Sequence, residues 1–287
     1  MDKKVSIIMG IYNCEQTLAD SLDSILKQSY QNWELVMCDD GSSDDTYTIA
    51  GEYAKKDSRI RLIRNPDNVG LAKTLNYCLR HCSGEFIMRH DGDDIMTNDR
   101  IEKQVKYMRE NDCDACGSSA YLFDHDGVWG VRQVLTKPNK SIMITDSPFI
   151  HPTVIMKAES LLAVGGYSDN NMTRKRLEDY DLWLKFYEKG FILHNIQEPL
   201  LYFREDQDSY KRKSRSFRLT ETKARLDACK VLNIPYVKRL LAFKPLIVLL
   251  IPKKSLRKYH IWQAKRRSIG ANKSPAYKEE TFLNEGE

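Results

Sequence analysis

The 287-residue sequence predicts an α/β fold: a Rossmann-like, mostly parallel central sheet flanked by helices, with a basic helical C-terminal extension. Three observations carry that expectation. Short apolar runs alternate with helical patterns as far as Arg109, the signature of a parallel sheet with helices on both faces. Polar clusters follow three of those runs, and ligands of such sheets bind beyond the carboxyl ends of the strands. Beyond about residue 210 the composition turns sharply toward Lys and Arg.

Residues 5–11 form a continuous apolar run, as a strand buried on both faces does. Leu18, Leu22, Ile25 and Leu26 then recur at helical spacing. Residues 34–38 predict a second strand, and residues 44–55 a helix whose acidic start suits its macrodipole. Residues 60–63, 71–79, 86–88 and 101–109 continue the alternation as strand, helix, strand and helix. Residues 118–123 and 128–135, joined by Asp124-His125-Asp126-Gly127, predict a hairpin. His151-Pro152-Thr153 leads into Val154-Ile155-Met156, Gly165-Gly166 marks a turn, and a helix is expected over about 177–188. The tail predicts a polar helix over about 214–232. Residues 243–252, interrupted by Pro245, are too few to span a bilayer.

The N-terminal apolar run is short, is followed by Asn13, Cys14 and Glu15, and lacks a small-residue cleavage site. It reads as a first strand and the protein as cytosolic. Seven scattered cysteines argue against a disulfide framework. Cys113/Cys116 and Cys78/Cys82 lack the surroundings of a zinc site and read as buried thiols. The net charge of +5 conceals an asymmetry: residues 211–273 hold 19 Lys and Arg against Glu221 and Asp227. An acidic body with a basic tail suggests a negatively charged surface as the tail's partner, either an anionic membrane or a protein. Lys238-Arg239, Lys244, Lys253-Lys254, Trp262 and Arg266-Arg267 fit an interfacial segment on anionic lipid, with a solvated basic helix covering the sheet as the plainer alternative.

Asp91-Gly92-Asp93-Asp94 is the most informative motif. Three carboxylates at a strand end repel one another unless a cation sits among them, and two of them with substrate phosphates suit a hard divalent ion. A turn capping the next helix is the plainer alternative. Asp39-Asp40-Gly41-Ser42 doubles an aspartate where a turn needs one, and a carboxylate there can accept the imide N–H of uracil. Glu178-Asp179-Tyr180-Asp181 puts acids in the first turn of a helix, for the dipole or for a general base. Gly70 in Asn68-Val69-Gly70-Leu71 permits close approach of a ligand. Arg204 either serves a phosphate or neutralises nearby acids, and His151 reads as a packed loop histidine.

Together these stretches resemble family 2 glycosyltransferases of the GT-A fold: Val5-Ser6-Ile7-Ile8 with Tyr12-Asn13, Asp39-Asp40-Gly41-Ser42, Asn68-x-Gly70-Leu71, Asp91-x-Asp93-Asp94, His151-Pro152-Thr153 and Glu178-Asp179-x-Asp181-Leu182-Trp183. Ile8 to Cys14, Asn32-Trp33-Glu34-Leu35 and Arg204-Glu205-Asp206 look most like bacterial biofilm exopolysaccharide glycosyltransferases of the EpsE type. The resemblance implies an inverting transfer from a nucleotide-sugar, usually a UDP-sugar, to a saccharide or lipid-linked acceptor. Ile11, Tyr12, Asn13, Glu15, Asp40, Asn68, Gly70, Asp91, Gly92 and Arg204 would contact the donor. Asp93, with Asp91, would hold Mn2+ or Mg2+; Asp179 would be the base and Glu178 its support. Gly10 replaces a frequent proline, which suggests a looser first loop, and Gly92 a frequent alanine or serine.

The implied organisation is a catalytic domain over 1–210, divided into a nucleotide-binding half (1–97) and an acceptor half (98–210), and a basic region over 211–287. The expected place is the cytoplasm, peripheral on the inner face of the cell membrane, beside other exopolysaccharide-synthesis proteins and without a nucleic-acid partner. Two other classes remain open: a relative that acts by protein binding through its basic tail, and a nucleotidyltransferase, which would release pyrophosphate.

Overall fold

Four strands run parallel through the N-terminal half: β1 (Val5–Ile11), β2 (Trp33–Asp39), β3 (Ile60–Arg64) and β4 (Phe86–Arg89), in the spatial order β3-β2-β1-β4. Helices α1 (Leu18–Leu26), α2 (Thr46–Lys56) and α3 (Leu71–Leu79) make the crossovers. The computed structural model describes residues 3–170, 176–205, 215–249, 251 and 262. Alternation along β1 and β2 splits the core into two layers. Ile7, Met9, Leu35 and Met37 pack with Leu22 and Ile25 of α1; Ile8, Val36 and Cys38 face Leu75 and Cys78 of α3. Full burial of each large apolar side chain contributes roughly 1.5–3 kcal/mol.

Beyond β4 come β5 (Ile95–Met96), α4 (Arg100–Asn111), β6 (Ala115–Asp124), β7 (Gly127–Arg132), β8 (Ile155–Lys157), α5 (Ala158–Ala163), α6 (Glu178–Glu188) and β9 (Leu193–Arg204). The sheet continues β4-β8-β6-β9-β5, with β7 on the free side of β6. The parallel character expected of the sheet holds from β3 to β4; β8 then runs antiparallel to both β4 and β6, while β6 and β9 are parallel again. The expected hairpin is β6–β7, closed at Asp124 and Gly127.

Gly10 lies inside β1, in register with Cys38. A Cβ there would come within 3.0 Å of Leu71 Cδ1 and 3.2 Å of Thr74 Cγ2. The missing side chain lets α3 settle on the strand, so this glycine serves packing rather than a loose loop.

The tail begins with α7 (Arg215–Val231), α8 (Tyr236–Arg239), a 3-10 turn over Leu240–Phe243 and α9 (Lys244–Val248). Ala224, Ala228, Cys229, Leu232, Ile234 and Ala242 share the buried layer of Trp183 and Phe186 of α6. This stretch therefore packs against α6 as part of the same core. Asp206, Lys253-Lys254 and Arg266-Arg267 lie outside the described residues. Among the described residues no helix is long and apolar enough to cross a membrane.

Candidate active site

The first polar cluster is a web of loop bonds at the carboxyl ends of β1 and β2. Ile11, buried, accepts the Asp40 backbone N–H at 2.9 Å. Tyr12 is half exposed, and Asn13 turns the chain out of the strand at φ +48°. The Asn13 N–H donates to Ser42 Oγ at 3.0 Å, and its Oδ1 accepts the Ser43 N–H at 2.9 Å. Glu15 is drawn into the same web, its Oε2 accepting the Asp45 N–H at 2.9 Å.

Asp40 is buried, and its Oδ1 accepts from Asn65 Nδ2 at 2.8 Å and the Val69 N–H at 3.0 Å. Its Oδ2 accepts the Gly70 N–H at 2.9 Å, which leaves that oxygen one lone pair for a further donor. Gly70 has φ +90° and Asn68 is exposed beside it. Asp39, fully buried, takes Arg64 Nε at 3.0 Å. Asp40 thus shapes the 65–70 loop.

The second cluster follows β4. Asp91, Asp93 and Asp94 each bring a carboxylate oxygen within 4.8 Å of the others. Buried Arg89 pairs with Asp91 and donates to the His90 carbonyl. Arg204 Nε donates to the Asp93 carbonyl at 3.0 Å, its backbone N–H to Asp94 Oδ1 at 2.9 Å, and its guanidinium lies 4.5 Å from the Phe123 ring centroid. Burial, and then the Asp91 charge, push Asp93 up to about 6. Burial and the charges of Asp93 and Asp91 raise Asp94 well above its ordinary range, and its Oδ2 has no hydrogen-bond partner among the described residues. Thr17 Oγ1 donates to the Gly92 carbonyl at 2.9 Å, tying this loop to the first cluster. A Cβ on Gly92 would stand 3.0 Å from Cys14 Sγ, so an alanine here would need that thiol to shift.

The third cluster is the first turn of α6. Glu178 is buried and is pushed up to about 7, by burial first and then by the charge of Asp179. Arg89 lowers it and Asp91 raises it further, so the acids of β4 and α6 share one electrostatic neighbourhood. Asp179 Oδ1 accepts the Tyr180 N–H at 2.7 Å, and the Tyr180 hydroxyl donates to the Met143 carbonyl at 2.6 Å. Trp183, edge-on to Phe149 and His151, anchors the helix beneath them. His151 Nε2 lies 2.9 Å from the Tyr167 hydroxyl, and burial followed by Arg89 holds this imidazole well below its ordinary range, as befits a packed histidine.

The residues present fit a hard divalent cation: all-oxygen donors, three carboxyl groups converging, and a buried carboxylate oxygen without a donor. The Asp124, His125 and Asp126 grouping at the β6–β7 hairpin is largely exposed, and Asp124 Oδ1 accepts the Asp126 N–H in a turn.

Sequence reasoning passed over Arg89 and Arg100. Arg100 is fully buried, donates to the Pro152 carbonyl at 2.7 Å and the Arg89 carbonyl at 3.1 Å, and bonds Gln104 Oε1 at 3.0 Å. Gln104 passes the link on to the Thr153 carbonyl at 2.8 Å. Spacing gave one faint signal: Arg89 and His90 continue an apolar strand straight into the acidic motif.

Comparison with known proteins gives the family. Residues 6–177 match the Glycosyl transferase family 2 domain. The EpsE glycosyltransferase of Bacillus subtilis (strain 168) is 44% identical over 259 residues, 90% of this chain and 93% of that protein. WfaP of Escherichia coli, a UDP-Glc:alpha-D-GlcNAc-diphosphoundecaprenol beta-1,3-glucosyltransferase, is 31% identical over 201 residues, 70% of this chain and 76% of its own. The solved mannosyltransferase PcManGT from Pyrobaculum calidifontis, in complex with GDP-Man and Mn2+, is similar at TM-score 0.60 and 19% identity, over 92% of this chain and 81% of that chain. The fold is of the GT-A type. The chain belongs to Glycosyl transferase family 2 and is a glycosyltransferase.

Proposed function

We propose that this glycosyltransferase moves a sugar from a UDP-sugar to a lipid-linked or saccharide acceptor, with inversion and with help from Mn2+ or Mg2+, in exopolysaccharide synthesis for a biofilm. The carrying observation is the meeting of two acidic clusters, Asp91/Asp93/Asp94 and Glu178/Asp179, around the buried guanidinium of Arg89. Five carboxyl groups here face the guanidinium groups of Arg89, Arg100 and Arg204. The carboxyl groups outnumber the guanidinium groups, and a bound divalent cation would offset the charge that Asp93 and Asp94 take on as they give up their protons.

In this reading Asp93 and Asp91 hold the cation, with Asp94 behind them. Bound there, it would offset the charge that develops on the departing diphosphate. Asp40, Asn68, Gly70, Tyr12 and Asn13 seat the nucleotide, and the free lone pair of Asp40 Oδ2 accepts the uracil imide N–H. Arg204 orders the Asp93–Asp94 loop. Asp179 takes the proton of the acceptor hydroxyl as that oxygen attacks the anomeric carbon from the face opposite the diphosphate. Glu178, raised to about 7 by burial and then by the charge of Asp179, retains part of its proton near neutral pH, which limits the negative charge beside that base.

The donor and acceptor named for WfaP, UDP-Glc and a diphosphoundecaprenol, support a UDP-sugar and a lipid-linked acceptor here. The Mn2+ complex of PcManGT supports the cation. The 1–210 catalytic domain, the basic 211–287 region and a peripheral position on the inner membrane face complete the reading. A test is release of UDP across common nucleotide-sugars, with membrane-extracted lipid or soluble saccharide acceptors, before and after chelation. Release that depends on acceptor and is restored by Mn2+ supports it. Pyrophosphate as the product, or turnover indifferent to thorough chelation, would overturn it.

A further inference from the structure

The segment from α8 to α9 is amphipathic the wrong way round. Tyr236, Leu240, Phe243 and Ile247 recur at helical spacing, and all four are exposed, Tyr236 at 80% and Leu240 at 71%. Val237, at 83%, and Leu241 widen the same stripe. Ala242 and Pro245 are the side chains turned inward. A helical run normally buries its large apolar residues and shows solvent its small or polar ones. Large apolar side chains left exposed this close together in the chain mark a surface made for another phase or another molecule.

Charge selects the partner. Lys238, Arg239 and Lys244 interleave with the ridge, and residues 228–278 contain 13 Lys and Arg and no Asp or Glu. Large apolar side chains bordered by cations alone match the interface of an anionic bilayer, where the ridge enters the acyl boundary and the cations meet headgroups. The segment is also fixed to the acceptor side of the enzyme. Lys244 Nζ donates to the Thr145 carbonyl at 3.2 Å, and α7 packs on the short 3-10 helix Lys140–Ile144. That helix accepts the Tyr180 hydroxyl through Met143, one residue from Asp179.

We infer that Tyr236, Val237, Leu240, Leu241 and Ile247 form an insertion ridge that docks the acceptor half on an anionic lipid bilayer. Docking by insertion differs from attraction of a basic tail, because it survives salt that screens charge. Its use in catalysis rests on the lipid-linked acceptor proposed above; the docking itself does not.

The test uses the full chain and vesicles of phosphatidylglycerol and phosphatidylcholine in equal amounts, with pure phosphatidylcholine as control. Leu240→Trp places a fluorophore on the ridge; a blue shift is expected with the anionic vesicles and should persist at high salt. The double variant Val237→Ser/Leu240→Ser should lower vesicle partitioning at least about tenfold, or about 1.4 kcal/mol. Its thermal unfolding midpoint and its turnover on a soluble acceptor should stay unchanged. Binding abolished by salt alone, absence of the blue shift, or equal partitioning of the double variant would overturn the inference. So would a dimer in sedimentation that the same two substitutions dissolve, which would make a second copy the occupant. Intact vesicle binding by a chain without transferase activity would sink the proposed reaction and leave the ridge standing.

Discussion

Glu178→Gln tests the electrostatics of the site without touching its shape. In the folded chain the Glu178 carboxyl is raised from 4.5 to about 7, with burial as the leading cause and Asp179 second. The native state therefore binds this proton more tightly than the unfolded chain does. Between those two pH values unfolding releases a proton, so the stability that Glu178 contributes is complete below about pH 4.5 and is lost as pH rises toward 7. At 1.36 kcal/mol per unit, the shift corresponds to roughly 3 kcal/mol. With only 8% of Glu178 exposed, solvent screening takes little from that figure.

Glutamine cannot titrate, so the variant lacks this slope. Denaturant unfolding of metal-free protein, followed from about pH 4 to about pH 8, should show the variant gaining on wild type by roughly 3 kcal/mol, with equal m-values. Asp179→Asn in the same series should flatten the wild-type slope only in part, because burial remains after the neighbouring charge is removed. Parallel stability curves for wild type and Glu178→Gln would refute the reasoning, since they would mean that Glu178 ionises in the fold as it does in water.

Four further outcomes are expected. Asp179→Asn should lower turnover by roughly 10²–10⁴-fold while calorimetry finds nucleotide affinity unchanged, as loss of a general base requires. Asp93→Asn should remove the Mn2+ signal that titration into the full chain produces in electron paramagnetic resonance, with the unfolding midpoint retained. Arg89→Met should destabilise by roughly 3–5 kcal/mol in denaturant unfolding, because it strands Asp91 beside two other acids. Gly41→Ala should cost roughly 1–3 kcal/mol in the same assay; its φ is +75°, and a Cβ would stand 3.0 Å from the Asp67 carbonyl carbon.

The N-terminal half was legible because its signals are local. β1, β2 and β4 carry apolar runs, β3 sets Ile60, Leu62 and Ile63 around Arg61, and each crossover helix has its own periodicity. The second half was not, because β5 has two residues and β8 three. Such strands carry no period, and their direction is decided by partners far away in the chain. The acid motifs announced themselves through excess, since a turn or cap needs one aspartate where this chain places two or three. What those acids bond to stayed hidden. Glu15 and Asp40 look from the sequence like groups aimed at a ligand, yet both accept backbone N–H groups of neighbouring loops. The apolar residues of 236–247 were visible as apolar, but periodicity reveals that a face exists and not whether protein covers it.

The deepest omission was the cation inside the site. Composition rules place arginine at the surface, so Arg89 and Arg100 drew no notice. The fold buries both because each ends a short path of hydrogen bonds: Arg89 to the His90 carbonyl and Asp91, Arg100 to the carbonyls of Arg89 and Pro152. The repulsion read from the acidic motif is therefore real, and in the proposed reading its relief is divided between the protein and a bound cation. Arg89 occupies one side of Asp91 permanently and holds the cluster together before any substrate arrives. Burial first, and the neighbouring acids second, still hold Asp93 and Asp94 above their ordinary range, so the internal cation leaves part of the repulsion standing. A site fully neutralised by arginine would have no use for a metal and its diphosphate; one with no arginine would fall apart without them. Partial neutralisation is the arrangement under which the acids stay assembled and still gain from binding.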